Sequence, residues 1–139
     1  SMEPIITFKS YKIKNIDYKF TGLEKESDSS KENEDTINTR VHIGISKDLK
    51  EGLVLLKNEI NDMKNERTIT VELYGEFDIL KEMNEDEIKD ILRVNGVAML
   101  YPYARSLVSI LTSIDSESAI LLPTINTSIS SGSYKDYVS

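Results

Sequence analysis

The chain lacks the residues on which several kinds of site depend. It contains no cysteine, which excludes disulfides, thiolate nucleophiles and cysteine-based metal sites. Its single histidine, His42, excludes multi-histidine metal sites, and its six scattered glycines form no GxxxxGKS/T phosphate loop. Serine–histidine–aspartate catalysis would need His42, but this residue takes a polar position of a predicted strand. We therefore expect no enzyme activity, no cofactor and no metal.

Positive charge is scarce as well. The 139 residues carry 17 Lys and Arg against 24 Asp and Glu, a net charge of −7 at pH 7. Nucleic-acid binding depends on clustered Lys and Arg, so we expect no nucleic-acid partner. Hydrophobic residues make up 39% of the chain, which is typical of one soluble domain. No basic segment followed by an apolar run stands near the start, and we expect a cytoplasmic protein.

The first ordered segment alternates in a way that predicts an unusual strand. Apolar residues alternate with polar ones, but the phase of the alternation changes twice, after Phe8 and after Ile13. This pattern predicts either one long strand with bulges or two strand halves that present different faces. Residues 23–38 then become acidic and almost free of apolar side chains, which predicts a flexible connection between the first and second strands.

Three further stretches show strand patterns. The clearest is RTITVELYGEFDIL, in which apolar residues alternate with polar ones and only Gly75 interrupts the apolar face. A glycine at such a position indicates a bulge or a close approach of another element. Four strands joined in sequence by short or flexible connections favour an antiparallel sheet with one wet face.

The rest of the ordered chain reads as helix. Asn84 is a suitable N-cap, because the three residues that follow it are acidic and stabilise a helix N-terminus. The stretch Val94–Ile114 has one charged side chain in 21 residues, long enough to span a bilayer. Arg105 near its centre would cost about 2.5–3.5 kcal/mol there, so we expect no membrane insertion. Pro102 suits a first helical position, and we prefer two helices meeting near it to one straight helix, with a kinked helix as the open alternative.

The composition of this helix predicts that it is covered on two sides. A broad apolar stripe contains Tyr103, Ala104, Leu107, Val108, Leu111 and Ile114. The opposite positions are Arg105, Ser109 and Thr112, where an exposed helix would carry Lys or Glu. We therefore expect a second subunit to cover that face, so that the protein is a homo-oligomer. The candidate interface residues are Arg105, Leu107, Val108 and Leu111.

The predicted architecture is α+β, with a four-stranded antiparallel sheet packed against a long C-terminal helix. A single domain is expected over residues 3–126. The polar residues 127–139 are expected to form a disordered tail.

Two motifs resemble those of the SecB protein-export chaperone family. The run LYPYARSLVSILT carries Tyr101, Pro102, Tyr103, Ala104 and Arg105, and the following LLPTIN carries Leu122, Pro123 and Asn126. In that family, an aromatic-PYAR helix is followed by an LxP-x-N element. The segment Gly75–Ile79, GEFDI, is similar to the end of the family's fourth strand.

The resemblance implies a SecB-like sheet and helix, and a tetramer built as a dimer of dimers. It also implies an ATP-independent holdase that binds non-native polypeptides for export and delivers them to the SecA motor. The tail supplies no periodic apolar segment, so we expect the family's second helix to be missing or degenerate. A family acidic residue that contacts SecA aligns with Thr70, and Glu72 and Glu76 on the same polar face are the candidate partner contacts.

Candidate peptide contacts are the large aromatic or apolar residues near the motif-bearing end. They are Tyr74, Phe77, Leu100, Tyr101 and Tyr103. The alternative is a partner-specific protein of the same fold, such as a dedicated chaperone of a toxin–antitoxin system, without general holdase activity.

Overall fold

The computed structural model describes residues 3–23, 35–115, 120–124 and 136–138. The elements are β1 Ile6–Phe20, β2 Thr36–Ile45, β3 Glu51–Asp62, β4 Arg67–Ile79, α1 Glu85–Ile91, a π-helical turn Leu92–Gly96, α2 Val97–Asp115 and β5 Asp136–Val138. The strands form one sheet in the order β1–β4–β3–β2–β5, and one face of this sheet carries the long helical segment. The four long strands pair antiparallel, which confirms the predicted α+β class and the packing of the sheet on a helix.

Strand β1 is one bulged strand, the first of the two alternatives. Its pairing with β4 shifts register between Phe8 and Ser10 and again between Ile13 and Asn15. Each shift inserts one extra residue and restores the side-chain phase. As a result, one face of β1, the face that carries the helix, holds the whole apolar set: Ile6, Phe8, Tyr11, Ile13, Ile16, Tyr18 and Phe20.

The ends of the predicted domain need two corrections. Strand β2 begins at Thr36, inside the segment 23–38 predicted as a connection, and residues 24–34 lie outside the described residues. Residues Asp136–Val138 form a short strand parallel to the end of β2, within the tail predicted as disordered. The sheet therefore has a fifth, three-residue strand whose backbone pairs with Ile43–Ile45. The polar composition of the tail does not indicate this pairing, because the pairing uses main-chain groups.

The helix does not begin at Pro102, and that preference was wrong. Helical structure runs without interruption from Glu85 to Asp115, and Pro102 lies inside α2. Proline leaves the carbonyl of Ala98 without its intrahelical partner. Pro102 and Ala98 are both exposed, so water can solvate that carbonyl. The helix is long and apolar enough in composition to cross a membrane, a test that core helices of soluble domains also pass.

The start of the helix agrees with the sequence prediction. The Asn84 side chain accepts a hydrogen bond from the Glu87 amide at 2.9 Å, and the Glu87 carboxylate accepts one from the Asn84 amide at 3.4 Å. This reciprocal capping box fixes the first turn. At the π-helical turn the helix approaches β3 so closely that a Cβ on Gly52 would lie 2.6 Å from Leu92 Cδ1. Gly75 likewise marks a close approach, since a Cβ there would lie 3.3 Å from Leu100 Cδ1.

A buried ion pair ties the end of the helix to the sheet. The Arg67 Nε donates to Asp62 Oδ2 at 2.7 Å, and these side chains are 1% and 6% exposed. Arg67 Nη1 also donates to the Tyr18 hydroxyl at 3.1 Å and to the Thr112 carbonyl at 3.3 Å. Burial on its own would raise the pKa of Asp62, but hydrogen bonds from Asn65 and Arg67 outweigh it and hold that pKa below the ordinary value. One guanidinium therefore links β1, β4 and α2.

Candidate functional site

The helix leaves part of the sheet uncovered along β1. We call this surface the open apolar face, and its members from β1 and from one side of α2 are Tyr11, Ile13, Ile16, Phe20, Tyr103, Ile110 and Ile114. Exposure ranges from 37% at Ile16 and Tyr103 to 78% at Ile114. Tyr103, Ile110 and Ile114 share one side of α2 because they are 7 and 11 residues apart, close to whole helical turns.

An aromatic cluster anchors one end of the open apolar face. The rings of Tyr11 and Tyr103 stack with centroids 4.2 Å apart, and Phe8 lies 5.7 Å from Tyr103. Phe8 in turn packs on the buried Phe77 at 5.3 Å. Aromatic pairs at these distances contribute beyond their apolar burial. The cluster therefore joins the exposed face to the core without a gap.

The buried Arg67 anchors the other end. It binds Tyr18 of β1 and the Thr112 carbonyl of α2 with the same Nη1. Helix α2 is thus held beside β1 at two points, Tyr103 and Thr112, that are nine residues apart. The open apolar face is consequently pre-organised, which lowers the conformational cost of binding a partner there.

The other side of α2 is occupied by a short extended segment of the same chain. We call residues Ile120–Thr124 the strap. Its main chain makes three hydrogen bonds to helix side chains: Ile120 N to Thr112 Oγ1 at 2.8 Å, Arg105 Nε to the Leu122 carbonyl at 3.1 Å, and the Tyr101 hydroxyl to the Pro123 carbonyl at 2.9 Å. The strap therefore runs antiparallel to α2.

The strap gives a physical reason for the spacing of the two sequence motifs. In the first motif, Tyr101 donates to the Pro123 carbonyl and Arg105 donates to the Leu122 carbonyl of the second motif. Burial raises the pKa of the Tyr101 phenol above its ordinary value of 10.0, while the charge of Arg105 lowers it, so the hydroxyl keeps its proton and donates at neutral pH. Asn126, the last residue of the second motif, lies outside the described residues.

The five candidate peptide contacts do not share one surface. Tyr103 lies on the open apolar face, and Tyr74 lies on the opposite face of the sheet, half-buried. Phe77, Leu100 and Tyr101 are only 1%, 0% and 3% exposed, so they are core residues that offer no surface to a peptide in this chain. The sequence reasoning chose them by size and position along the chain, which does not separate the two sides of a helix.

The candidate interface residues are divided in the same way. Val108 is fully buried against the chain's own sheet, which corrects its assignment to a subunit interface. Thr112, expected on the outer side, is also fully buried, and its hydroxyl donates to the Val108 carbonyl at 2.7 Å. Leu107 and Leu111 are half-buried at the edge of the core, and Arg105 holds the strap. The buried side of α2 is therefore rotated about the helix axis relative to the predicted apolar stripe. The strap covers the side of the helix that was predicted to be polar.

The two acidic candidates lie together on the outer face of the sheet. Glu72 and Glu76 are half-buried and face away from the helix, and Glu72 lies opposite Lys57 of β3. Their role as partner contacts stays a prediction. Among the described residues, no group of three His, Asp or Glu side chains is arranged to hold a metal ion.

Sequence reasoning missed the β1 half of the open apolar face. Phe8 and Tyr11 are three residues apart, which in a regular strand places them on opposite faces. The bulge at Lys9 brings both onto the helix side. The double phase change of β1 carries this information. If each phase change is taken as a bulge, all the apolar residues of β1 fall on one face.

Comparison with known proteins supports the class of fold that these elements define. No protein-family model matches the chain. The SecB-like chaperone Rv1957 of Mycobacterium tuberculosis, solved in complex with a ChAD peptide from the HigA1 antitoxin, superposes with a TM-score of 0.69 at 14% identity. The superposition covers 87% of this chain and 88% of that chain. The fold is therefore SecB-like, as the sequence motifs predicted.

Two further proteins are similar. A protein of unknown function from Streptococcus agalactiae has a TM-score of 0.53 at 14% identity, over 85% of this chain and 96% of that chain. An uncharacterised protein of Methanocaldococcus jannaschii is 34% identical over 58 residues, which are 42% of this chain. The match spans 37% of the length of that relative.

Proposed function

We propose that this protein is an ATP-independent chaperone that binds non-native polypeptide segments at the open apolar face. The observation that carries the proposal is the face itself: large apolar side chains from β1 and α2, 37–78% exposed, on one side of a highly charged domain. A contiguous exposed apolar surface of this kind typically marks a binding site. The SecB-like fold, which a peptide-bound chaperone shares, supports the same reading.

The composition of the face defines what it selects. All seven members are aromatic or branched aliphatic, so binding depends on apolar burial rather than on charge or a specific sequence. Strand β1 is also an edge strand of the sheet, because among the described residues β4 alone pairs with it. An extended client segment can pair its main chain with such an edge while its apolar side chains pack on the face.

A homo-oligomer is the second part of the proposal. Ile110 and Ile114 are 56% and 78% exposed, and they extend the open apolar face along the end of α2. A second copy that packs on this end would bury them, and a dimer or tetramer would place several open faces around one particle. Native mass measurement with and without an unfolded polypeptide tests this, since a monomer in both samples would contradict it.

Export is the finer step of the proposal. A cytoplasmic export chaperone would hand its client to the SecA motor, and the half-buried Glu72 and Glu76 on the outer face are the proposed contacts. Charge reversal of both residues should abolish binding to SecA while client binding at the other face is retained. Equal SecA binding by the parent and the reversed protein would rule out this contact.

The test of chaperone activity uses two substitutions in one strand. Ile13→Lys places a charge on the open apolar face, whereas Asn15→Lys places the same charge on the opposite face of β1, across from Glu72. We expect the parent and Asn15→Lys proteins to suppress aggregation of a chemically unfolded protein at stoichiometric amounts, and Ile13→Lys to lose most of this suppression. No suppression by the parent protein would refute the proposed function.

A partner-specific role is the second candidate function. It is favoured by the peptide bound to the Mycobacterium tuberculosis chaperone, which comes from an antitoxin. In this case the open apolar face would bind one defined protein tightly and would not protect generic unfolded proteins. Affinity capture of a single partner, lost in Ile13→Lys and kept in Asn15→Lys, together with no suppression of generic aggregation, would establish it.

A further inference from the structure

The strap Ile120–Thr124 is bound to α2 as an extended peptide would be. All three of its hydrogen bonds to the helix use strap main-chain atoms: one amide and two carbonyls. The helix supplies the side chains of Tyr101, Arg105 and Thr112, so these three bonds do not depend on which side chains the strap contains. Main-chain bonds of this kind give affinity without sequence selectivity.

Two adjacent side chains of the strap point in opposite directions. Leu122 is fully buried, whereas its neighbour Leu121 is 69% exposed. Alternation is what an extended chain imposes when one of its sides rests on a surface. The surface under the strap therefore combines two side-chain donors and one side-chain acceptor, all bonded to main-chain atoms, with one deep apolar position. We call it the strap seat, which consists of Tyr101, Arg105 and Thr112 together with the buried position of Leu122.

The strap seat is separate from the open apolar face. Tyr101 and Arg105 each stand two residues from Tyr103, which is about 200° around a helix. One side of α2 thus stacks on β1 through Tyr103, and the other holds the strap. A long client could engage both sides only if the strap moved aside.

We propose that the strap is a built-in competitor for a second polypeptide-binding surface. A non-native segment that carries a leucine-like side chain displaces the strap, places that side chain in the position of Leu122, and takes over the bonds to Tyr101, Arg105 and Thr112. This inference rests on the proposed function, and it adds a regulated site to the open apolar face. The occupant is defined chemically as an extended main chain with one buried aliphatic residue.

If the strap competes with a client, it lowers the apparent affinity of the client for the strap seat by a predictable factor. A site that is open in a fraction of molecules shows an apparent dissociation constant raised by the inverse of that fraction. A change that weakens the strap without touching Tyr101, Arg105 or Thr112 should therefore strengthen client binding at the seat. If the strap instead supported the client's contacts, the same change would weaken client binding. The direction of the change in affinity therefore distinguishes a competing strap from a supporting one.

The experiment compares two adjacent leucines. Leu122→Ala empties the deep position, and Leu121→Ala makes the same chemical change at an exposed position of the strap. The probe is a fluorescent synthetic peptide with the sequence of residues 119–126, AILLPTIN, measured by anisotropy. We expect its dissociation constant to fall about tenfold or more for Leu122→Ala, as large-to-small core changes permit, and to stay within about twofold for Leu121→Ala.

A second peptide shows whether the buried position of Leu122 selects an apolar side chain. The same peptide with aspartate in place of the residue that corresponds to Leu122 should not bind to Leu122→Ala, because the charge would be buried without a partner. If Leu122→Ala binds AILLPTIN no better than the parent and Leu121→Ala proteins do, the strap is not a competitor and the inference is overturned. Equal binding of both peptides overturns it as well.

A measurement on the parent protein covers the case in which Leu122→Ala does not fold. Hydrogen exchange at the Ile120 amide, which donates to Thr112, should accelerate at least tenfold when a saturating unfolded polypeptide is added. Unchanged exchange under saturation would overturn the strap inference even if the polypeptide binds. Failure of the proposed function is distinguishable, because the parent protein would then neither suppress aggregation nor bind the polypeptide at all.

Discussion

Replacement of Arg67 tests whether the buried ion pair that holds α2 in place contributes more to the free energy of unfolding than an exposed ion pair does. In Arg67→Met, the Asp62 carboxylate stays 6% exposed and loses its 2.7 Å partner, so that the bonds from Asn65 alone remain. Removing one partner of a buried pair typically costs about 3–5 kcal/mol. Domains of this size are stable by about 5–15 kcal/mol, so a large part of the stability should be lost.

The matched control is Arg40→Met. Arg40 contacts Glu59 at 3.5 Å, and its side chain is 54% exposed. Solvent screening limits such a pair to about 0–1 kcal/mol. Urea unfolding followed by circular dichroism gives both free energies of unfolding. A loss below about 1 kcal/mol for Arg67→Met, similar to that of Arg40→Met, would refute the assigned role of the buried pair.

The pH dependence of the same pair has a definite sign. Because the pKa of Asp62 is lowered in the folded chain, its contribution to stability is present above the unfolded value of 3.8 and is lost as the pH falls below it. The difference in unfolding free energy between the parent and Arg67→Met proteins should therefore be full at neutral pH and should shrink below about pH 4. A difference that grows on acidification would contradict this assignment.

Three further changes test the core and the strap. Asn58 is fully buried on the helix side of β3, and within the described part of the chain neither polar atom of its side-chain amide has a hydrogen-bond partner. Asn58→Leu should therefore raise the urea midpoint by an amount equivalent to about 1 kcal/mol. A lower midpoint would show that the amide has a partner in the assembled protein. Gly52→Ala should destabilise by about 1–3 kcal/mol in the same assay, because its Cβ would collide with Leu92, and an unchanged midpoint would contradict the close approach. Tyr101→Phe should remove the bond to the Pro123 carbonyl and cost about 0.5–1.5 kcal/mol, and exchange of the strap amides should speed up; unchanged exchange would show that this bond does not hold the strap.

Local signals in the sequence predicted the sheet well. Strand β4 alternates strictly, so Ile69, Val71 and Leu73 were placed correctly on the buried face, and all three are at most 1% exposed. Asn84 was recognised as an N-cap because its side chain and the acidic first turn act within a few residues of each other. The SecB-like fold followed from the two motifs and was confirmed by the structural comparison.

The candidate site was harder to predict, because it depends on contacts between distant segments. The helix side that faces the sheet was misjudged, since Val108 and Thr112 are both fully buried although one was assigned to a subunit interface and the other to the outer side. No periodicity shows that the strap would return to cover Thr112 and Arg105. Pro102 was taken as a helix start because a local rule disfavours it elsewhere, whereas the exposure of Ala98 makes it tolerable inside.

Site-specific photo-crosslinking from β1 tests polypeptide binding at the open apolar face most directly. A photoreactive phenylalanine derivative replaces Ile13 in one protein and Asn15 in another, two exposed positions on opposite faces of the same strand. With a permanently unfolded polypeptide present, the probe at position 13 should crosslink to it strongly and the probe at position 15 weakly or not at all. Equal crosslinking from the two positions, or none from position 13, would contradict the proposal that this face binds non-native polypeptides.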